Sequence, residues 1–207
     1  MPRKTLPLSV LVPGTRTLSK LADVRPERVW YVAYGSNIDR TRFMRYLDGD
    51  DDHVGARDST APVADRFATA PLELHFAGES KRWGGGVCFV DPDPGATAHV
   101  RAWDITAEQF EDVFAQENQG DVGTALPWQE MAHGQTEAGG RWYGLVVPID
   151  LPFASAEHPA YTFTWTERFD RNPPSLAYRQ TIERGFAEHP DLTPSDIDQY
   201  LNRAAKQ

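Results

Sequence analysis

Cysteine is almost absent. Cys88 stands alone, so neither a disulfide framework nor a thiolate zinc site can be built within one chain. It lies in the apolar run Val87-Cys88-Phe89-Val90, where a buried, inert thiol is expected. No apolar run reaches the length of about 18 residues that a membrane helix needs. The opening Met1-Pro2-Arg3-Lys4 is followed by a short apolar stretch broken by Pro7 and Pro13, which does not read as a signal peptide, and the cytoplasm is the expected compartment. Basic residues are outnumbered, 21 against 30 acidic, for a net charge of −9. A nucleic-acid binder needs a concentrated basic face. Here Arg40, Arg42 and Arg45 are the nearest approach to one, and the acidic stretch Asp48 to Asp52 follows them directly, so they read as a solvated helix face. The six histidines (53, 75, 99, 133, 158, 189) include no His-Glu-x-x-His and no pair at ligand spacing, so no zinc site is expected. Internal repeats, heptads and low-complexity tracts are also missing.

What is present describes one folded domain. The 207 residues suit a single domain over 29–207 preceded by an arm over 1–28, where Pro, Thr, Lys and Arg mix without a period. A chain of this size buries roughly 70% of its unfolded surface, enough for a core without staples. Val29 to Tyr34 is β-branched and aromatic and is stopped by Gly35, which predicts a buried strand. Asn37 is a candidate cap for a helix carrying Ile38, Phe43, Met44 and Leu47. Residues 50 to 68 read as a loop. Leu72 to Phe76, Val87 to Val90 and His99 to Trp103 read as strands, with Asp91-Pro92-Asp93-Pro94-Gly95 turning the last two into a hairpin. Thr106 caps a helix with Phe110, Val113 and Phe114 on one face. Residues 119–140 form a long loop or insertion, and Trp142–Pro148 and Tyr161–Trp165 are two further strands. A helix over about 175–188 and another after a cap at Ser195 close the chain. Strands grouped in the middle with irregularly placed helices predict α+β with a mixed, mainly antiparallel sheet.

Three features carry chemistry. Tyr34-Gly35-Ser36-Asn37 joins a buried strand to a helix; a glycine allows positive φ or a close approach, and orphan amides there can hold a carboxylate or an oxyanion. An ordinary strand-to-helix turn fits the same residues. Glu117 falls on the face of Phe110, Val113 and Phe114, where partial desolvation would favour a general base; a solvated helix end is the alternative. Tyr178, in Pro174-Ser175-Leu176-Ala177-Tyr178, is either a packed helix tyrosine or a site residue. Gly84-Gly85-Gly86 precedes a strand, so neither a dinucleotide fingerprint nor a P-loop fits it.

Taken together these residues resemble the γ-glutamyl cyclotransferase-like family. Trp30-Tyr31-Val32-Ala33-Tyr34-Gly35-Ser36-Asn37 is similar to its signature strand and loop, and Trp83-Gly84-Gly85-Gly86 to the glycine-rich start of a central strand. Ala115-Gln116-Glu117 stands where the family's catalytic Glu closes a helix, and Pro174 to Tyr178 with Gly185 resembles its last helix. The resemblance implies a small barrel-like sheet with flanking helices, and a cavity between the Gly-Ser loop and the Glu. It implies release of 5-oxoproline and an amine from a γ-glutamyl amide, with Glu117 as general acid/base and Tyr34, Gly35, Ser36, Asn37 and Tyr178 binding substrate. No cofactor is implied. The expected partner is a small γ-glutamyl molecule, bound by a monomer or homodimer with neither nucleic acid nor membrane. Amide hydrolysis on the same fold, and a non-catalytic site for a small carboxylate, are the alternatives. The chain departs from the pattern after Glu117, at Asn118-Gln119-Gly120-Asp121. The segment that follows, with Trp128, Met131 and His133, is where a rebuilt leaving-group pocket is expected.

Overall fold

The computed structural model describes residues 25–206. The arm expected over 1–28 lies outside the described residues as far as position 24; Arg25 pairs with Glu111 at 2.8 Å, and Arg28 already opens the first strand. In chain order the elements are β1 (Arg28–Ala33), a 3-10 turn (Ser36–Ile38), α1 (Arg40–Asp48), β2 (Ala64–Ala70), β3 (Leu72–Ser80), β4 (Gly85–Pro92), β5 (Ala98–Thr106) and α2 (Ala107–Glu117). There follow α3 (Trp128–Met131), β6 (Thr136–Glu137), β7 (Leu145–Pro148), β8 (Ala160–Thr164), α4 (Leu176–Phe186) and α5 (Pro194–Lys206). Among these no helix is long and apolar enough to cross a membrane.

Six strands form one sheet in the order β2-β5-β1-β8-β7-β6, parallel at β1–β8 and antiparallel elsewhere. The pair β3–β4 is a separate antiparallel ribbon. The architecture is thus α+β with mainly antiparallel pairing and flanking helices, and its described strands close no ring. β1 is central because every residue from Val29 to Ala33 is buried, as the apolar run requires of a strand covered on both faces. Tyr31 stacks on Phe163 at 5.2 Å and Trp103 on Phe43 at 4.9 Å. Phe110 enters the same cluster from α2, its side chain fully buried, which contributes about 1.5–3 kcal/mol.

Caps explain where the helices start. Thr106 and Gln109 form a reciprocal capping box on α2, each bond 3.0 Å. The cap of α1 is Asp39 and not Asn37: Asp39 accepts from the Arg42 amide at 2.7 Å, while Asn37 turns inward. Ser175 caps α4. α5 begins at Pro194, a favoured first helical residue, with Thr193 accepting from the Asp196 amide at 3.2 Å in place of the expected Ser195 cap. The stretch 50–68 expected as loop ends in the strand β2.

The hairpin expected between 87–90 and 99–103 does not form. β4 pairs with β3, and β5 lies between β1 and β2. The outer edge of β4 is instead filled by other groups. The Gly86 amide donates to Pro173 O at 2.9 Å and the Cys88 amide to Tyr178 Oη at 3.1 Å. Tyr143 Oη donates to Cys88 O at 3.2 Å. Thr164 Oγ1 both accepts from Val90 N at 3.0 Å and donates to Val90 O at 2.8 Å, which pins the ribbon to β8. With its edge groups satisfied in this way, β4 leaves β5 no ladder to join.

Candidate active site

The loop after β1 is clamped from two sides. Trp103 Nε1 donates to Asn37 O at 2.9 Å, and Arg101 Nη1 to Ile38 O at 3.1 Å, both from β5. From the other side α4 approaches so closely that a Cβ on Gly185 would lie 2.5 Å from Asp39 N. Gly35 itself has φ −119°, so its glycine is not required by a left-handed backbone. Close approach requires it: a Cβ there would meet Tyr178 Oη at 3.0 Å and Cys88 Cβ at 3.1 Å. Among the described residues the Gly35 and Ser36 amides find no protein acceptor, as is usual for the first positions of a helical turn.

Glu117 reaches this loop from the far end of α2. It is the last helical residue. The Gln119 amide bonds back to Gln116 O at 3.2 Å and the Gly120 amide to Ala115 O at 2.8 Å, with Gln119 at φ 57°, the bond pattern that ends a helix in a left-handed residue. Asn118 then accepts from the amides of Trp142 and Tyr143 at 3.0 and 2.9 Å, which fixes the exit of the helix against the strand region before β7. The half-buried Glu117 carboxylate accepts from Asn37 Nδ2 at 2.8 Å. The same amide nitrogen donates to Tyr31 Oη at 3.0 Å, so both of its protons are used. Asn37 Oδ1 is buried without a protein partner.

These groups line one cavity of about 670 Å³, a volume ordinary for a small-molecule site. All six residues singled out in the sequence are in its wall: Tyr34, Gly35, Ser36, Asn37, Glu117 and Tyr178. Tyr34 is anchored by donation to Phe163 O at 2.8 Å. Tyr178 stacks obliquely on Trp83 at 5.0 Å while its hydroxyl holds the Cys88 amide. Burial pushes both phenols well above their ordinary range, as it does Tyr46 and Tyr143, so all four stay protonated. Burial also pushes the Cys88 thiol up to about 12, with only a partial offset from Tyr178, so Cys88 is no nucleophile. Among the described residues no group of three or more His, Cys, Asp or Glu is placed to hold a metal ion.

Other wall residues escaped the sequence reading. Arg42 is not on a solvated face. Arg40 and Arg45 are exposed, but Arg42 shares the inward side of α1 with Phe43 and Tyr46 and is 7% exposed. Its i, i+4 spacing to Tyr46 was the available signal. His53 and the ribbon turn Glu79 to Trp83 complete that side of the cavity. The segment 119–140 contributes only Gln119 and Gly120 to the lining. Trp128 instead donates to Glu111 at 2.7 Å, and Met131 is buried in the core. The glycine-rich start of β4 serves packing: a Cβ on Gly86 would fall 1.9 Å from Asn172 O.

No family model matches the chain. Histone deacetylase 5 of Arabidopsis thaliana is 31% identical over 214 aligned positions, which cover 90% of this chain and 32% of that protein. The chain therefore spans about a third of that relative's length. Among solved structures, a γ-glutamyl cyclotransferase superposes with a TM-score of 0.55 at 19% identity, covering 84% of this chain and 86% of the other. An uncharacterized protein from Homo sapiens gives 0.54 at 17% identity, over 87% and 99% of the two chains. YkqA from Bacillus subtilis gives 0.51 at 17% identity, over 87% and 55%. At these identities the likeness is one of fold, over 84–87% of this chain. The chain has the fold of the γ-glutamyl cyclotransferase-like proteins.

Proposed function

We propose that this protein converts a γ-glutamyl amide into 5-oxoproline and a free amine, with Glu117 carrying the proton. The observation behind this reading is the 2.8 Å bond between Asn37 and Glu117, which joins the Gly-Ser loop to a carboxylate 80 residues away at one cavity wall. The fold shared with a γ-glutamyl cyclotransferase supports it.

The chemistry fits that pairing. An α-ammonium must lose a proton before its nitrogen can attack, and Glu117 is the carboxylate placed to accept it. Asn37 Oδ1, buried and unpartnered, is an acceptor that steers the same ammonium. The amine nitrogen then attacks its own γ-carbonyl carbon, forming the lactam C–N bond. The free amides of Gly35 and Ser36 supply donors for the substrate carboxylate or for charge developing on the carbonyl oxygen. As the tetrahedral centre collapses, the original amide C–N bond breaks, Glu117 returns its proton to the leaving nitrogen, and the extra proton on the ring nitrogen passes to the released amine, which leaves as an ammonium. No water is consumed. Because attack is intramolecular, holding the reactive conformer supplies much of the acceleration.

Replacing Glu117 by Gln keeps the shape and the Asn37 contact region while removing the base. Release of 5-oxoproline across a panel of γ-glutamyl amines and γ-glutamyl amino acids is expected to fall by about 10²-fold or more in Glu117→Gln. Equal release by the variant would remove Glu117 from the mechanism. A second reading, hydrolysis of an amide with Glu117 activating water, draws on the deacetylase name of the Arabidopsis relative. It differs in its product, a linear acid in place of a lactam.

A further inference from the structure

Arg42 and Arg82 converge on one nitrogen. Arg42 Nη1 lies 2.8 Å from His53 Nε2, and Arg82 Nη1 lies 2.8 Å from the same atom. The two guanidinium nitrogens are therefore no farther apart than twice that distance. His53 Nδ1 faces Asp50 Oδ1 at 2.7 Å and donates to it, which leaves Nε2 with one lone pair for two donors. Burial, opposed by Asp50 and reinforced by the two guanidinium charges, holds the ring below its ordinary pKa and so neutral.

The charge on this side is poorly answered. Arg40 and Arg45 pair with Asp65 and Asp50, but Arg42 has no carboxylate partner among the described residues. It donates to Tyr46 Oη at 3.0 Å and lies over the rings of Tyr46 and Trp83. Its Nε is buried with no acceptor. Arg82 reaches Asp52 loosely, with Nη2 3.4 Å from its main-chain O and 3.9 Å from its carboxylate, and its side chain is 41% exposed. A buried guanidinium with an unmet donor, beside a second one, lacks an acceptor that has several lone pairs. Both arginines line the same cavity as Glu117.

We infer that Arg42 and Arg82 form an anion subsite in this cavity, which takes a carboxylate or phosphate borne by the amine half of the γ-glutamyl amide. The assignment to the amine half rests on the cyclotransferase reading, in which the Gly35 and Ser36 amides serve the glutamyl half. The subsite itself rests on the arginine geometry alone. A substrate of this class is a γ-glutamyl amino acid, peptide or phosphoamine, and not a γ-glutamyl alkylamine.

Two measurements test this independently. Calorimetric titration compares N-acetylglycine, inorganic phosphate and the neutral N-acetylglycinamide on the wild type and on Arg82→Gln, whose half-exposed position makes it tolerant of change. Arg42→Gln is a second variant, with its fold checked by circular dichroism. One or both anions are expected to bind at least ten-fold more tightly than the neutral amide, and Arg82→Gln to weaken them about ten-fold; whichever binds more tightly distinguishes carboxylate from phosphate as the group recognised. Indifference to charge, or an Arg82→Gln variant that binds like wild type, overturns the subsite. Turnover of γ-glutamylglycine, γ-glutamylphosphoethanolamine and γ-glutamylmethylamine is then compared. A preference of about ten-fold for the charged substrates, lost in Arg82→Gln, places the anion on the amine half; equal turnover of all three overturns that placement. Anion binding that requires Arg82, with no turnover of any of the three, keeps the subsite and overturns the cyclotransferase reading instead.

Discussion

Asn37 Nδ2 donates to Glu117 Oε1 at 2.8 Å and to Tyr31 Oη at 3.0 Å, so one amide group orients the carboxylate against the strand that precedes the loop. Removing that amide takes away one restraint on Glu117 and leaves Tyr31 without its donor. In Asn37→Ala, kcat is expected to fall by about 10- to 100-fold, the range for losing a hydrogen bond to a charged group. Steady-state kinetics on any γ-glutamyl substrate that the wild type turns over checks this. An unchanged kcat would show that Glu117 does not depend on Asn37.

Gly185 lets α4 touch the loop. An added Cβ would lie 2.5 Å from Asp39 N and 2.6 Å from Ile38 C, both backbone atoms that cannot swing aside. Gly185→Ala is expected to lose about 1–3 kcal/mol of stability as the helix and loop are forced apart. Urea denaturation measures it, and a variant as stable as wild type would mean that the helix can back away freely.

The hydroxyl of Tyr178 caps a strand edge from within the cavity. In Tyr178→Phe the Cys88 amide loses its acceptor in a buried place, a loss of about 1–3 kcal/mol, while the ring keeps its contact with Trp83. Equilibrium unfolding of the variant should show that loss in full. No loss would point to a different partner for the Cys88 amide.

Some of this was legible in the chain and some was not. The apolar run of β1, the Thr106 box and the Ser175 cap are local signals, and each depends only on neighbours within a few residues. Asn37 reads as a cap because its chemistry is right for one, yet Asp39 takes that place and Asn37 is drawn to a carboxylate 80 residues away. The Asp91 to Gly95 turn shows that the chain reverses, but not that Tyr178, Tyr143 and Thr164 occupy the edge β5 would have used. Arg42 looked like its exposed neighbours because three arginines close together suggest one face. Only the packing of Tyr46 and Trp83 around it reveals the difference.

Acid should weaken the fold. His53, His75, His99 and His189 all have pKa values held below the ordinary 6.5, chiefly by burial. The unfolded chain binds those protons more readily than the folded one, so the stability linked to them is present above 6.5 and is lost as pH falls below that value toward the lowered folded ones. Urea midpoints at about pH 7.5 and about pH 5.5, above the range where carboxylates titrate, should therefore show lower stability in acid. Constant or rising stability over that interval would contradict the burial of these rings.

Whether the carbonyl is attacked by an internal amine or by water is the most direct question to put to the site. Mass analysis of the product formed in ¹⁸O-water, with wild type and Glu117→Gln side by side, answers it. Intramolecular attack predicts unlabelled 5-oxoproline from the wild type and little product from the variant. A linear glutamate carrying solvent oxygen would contradict cyclisation and make Glu117 a base for water.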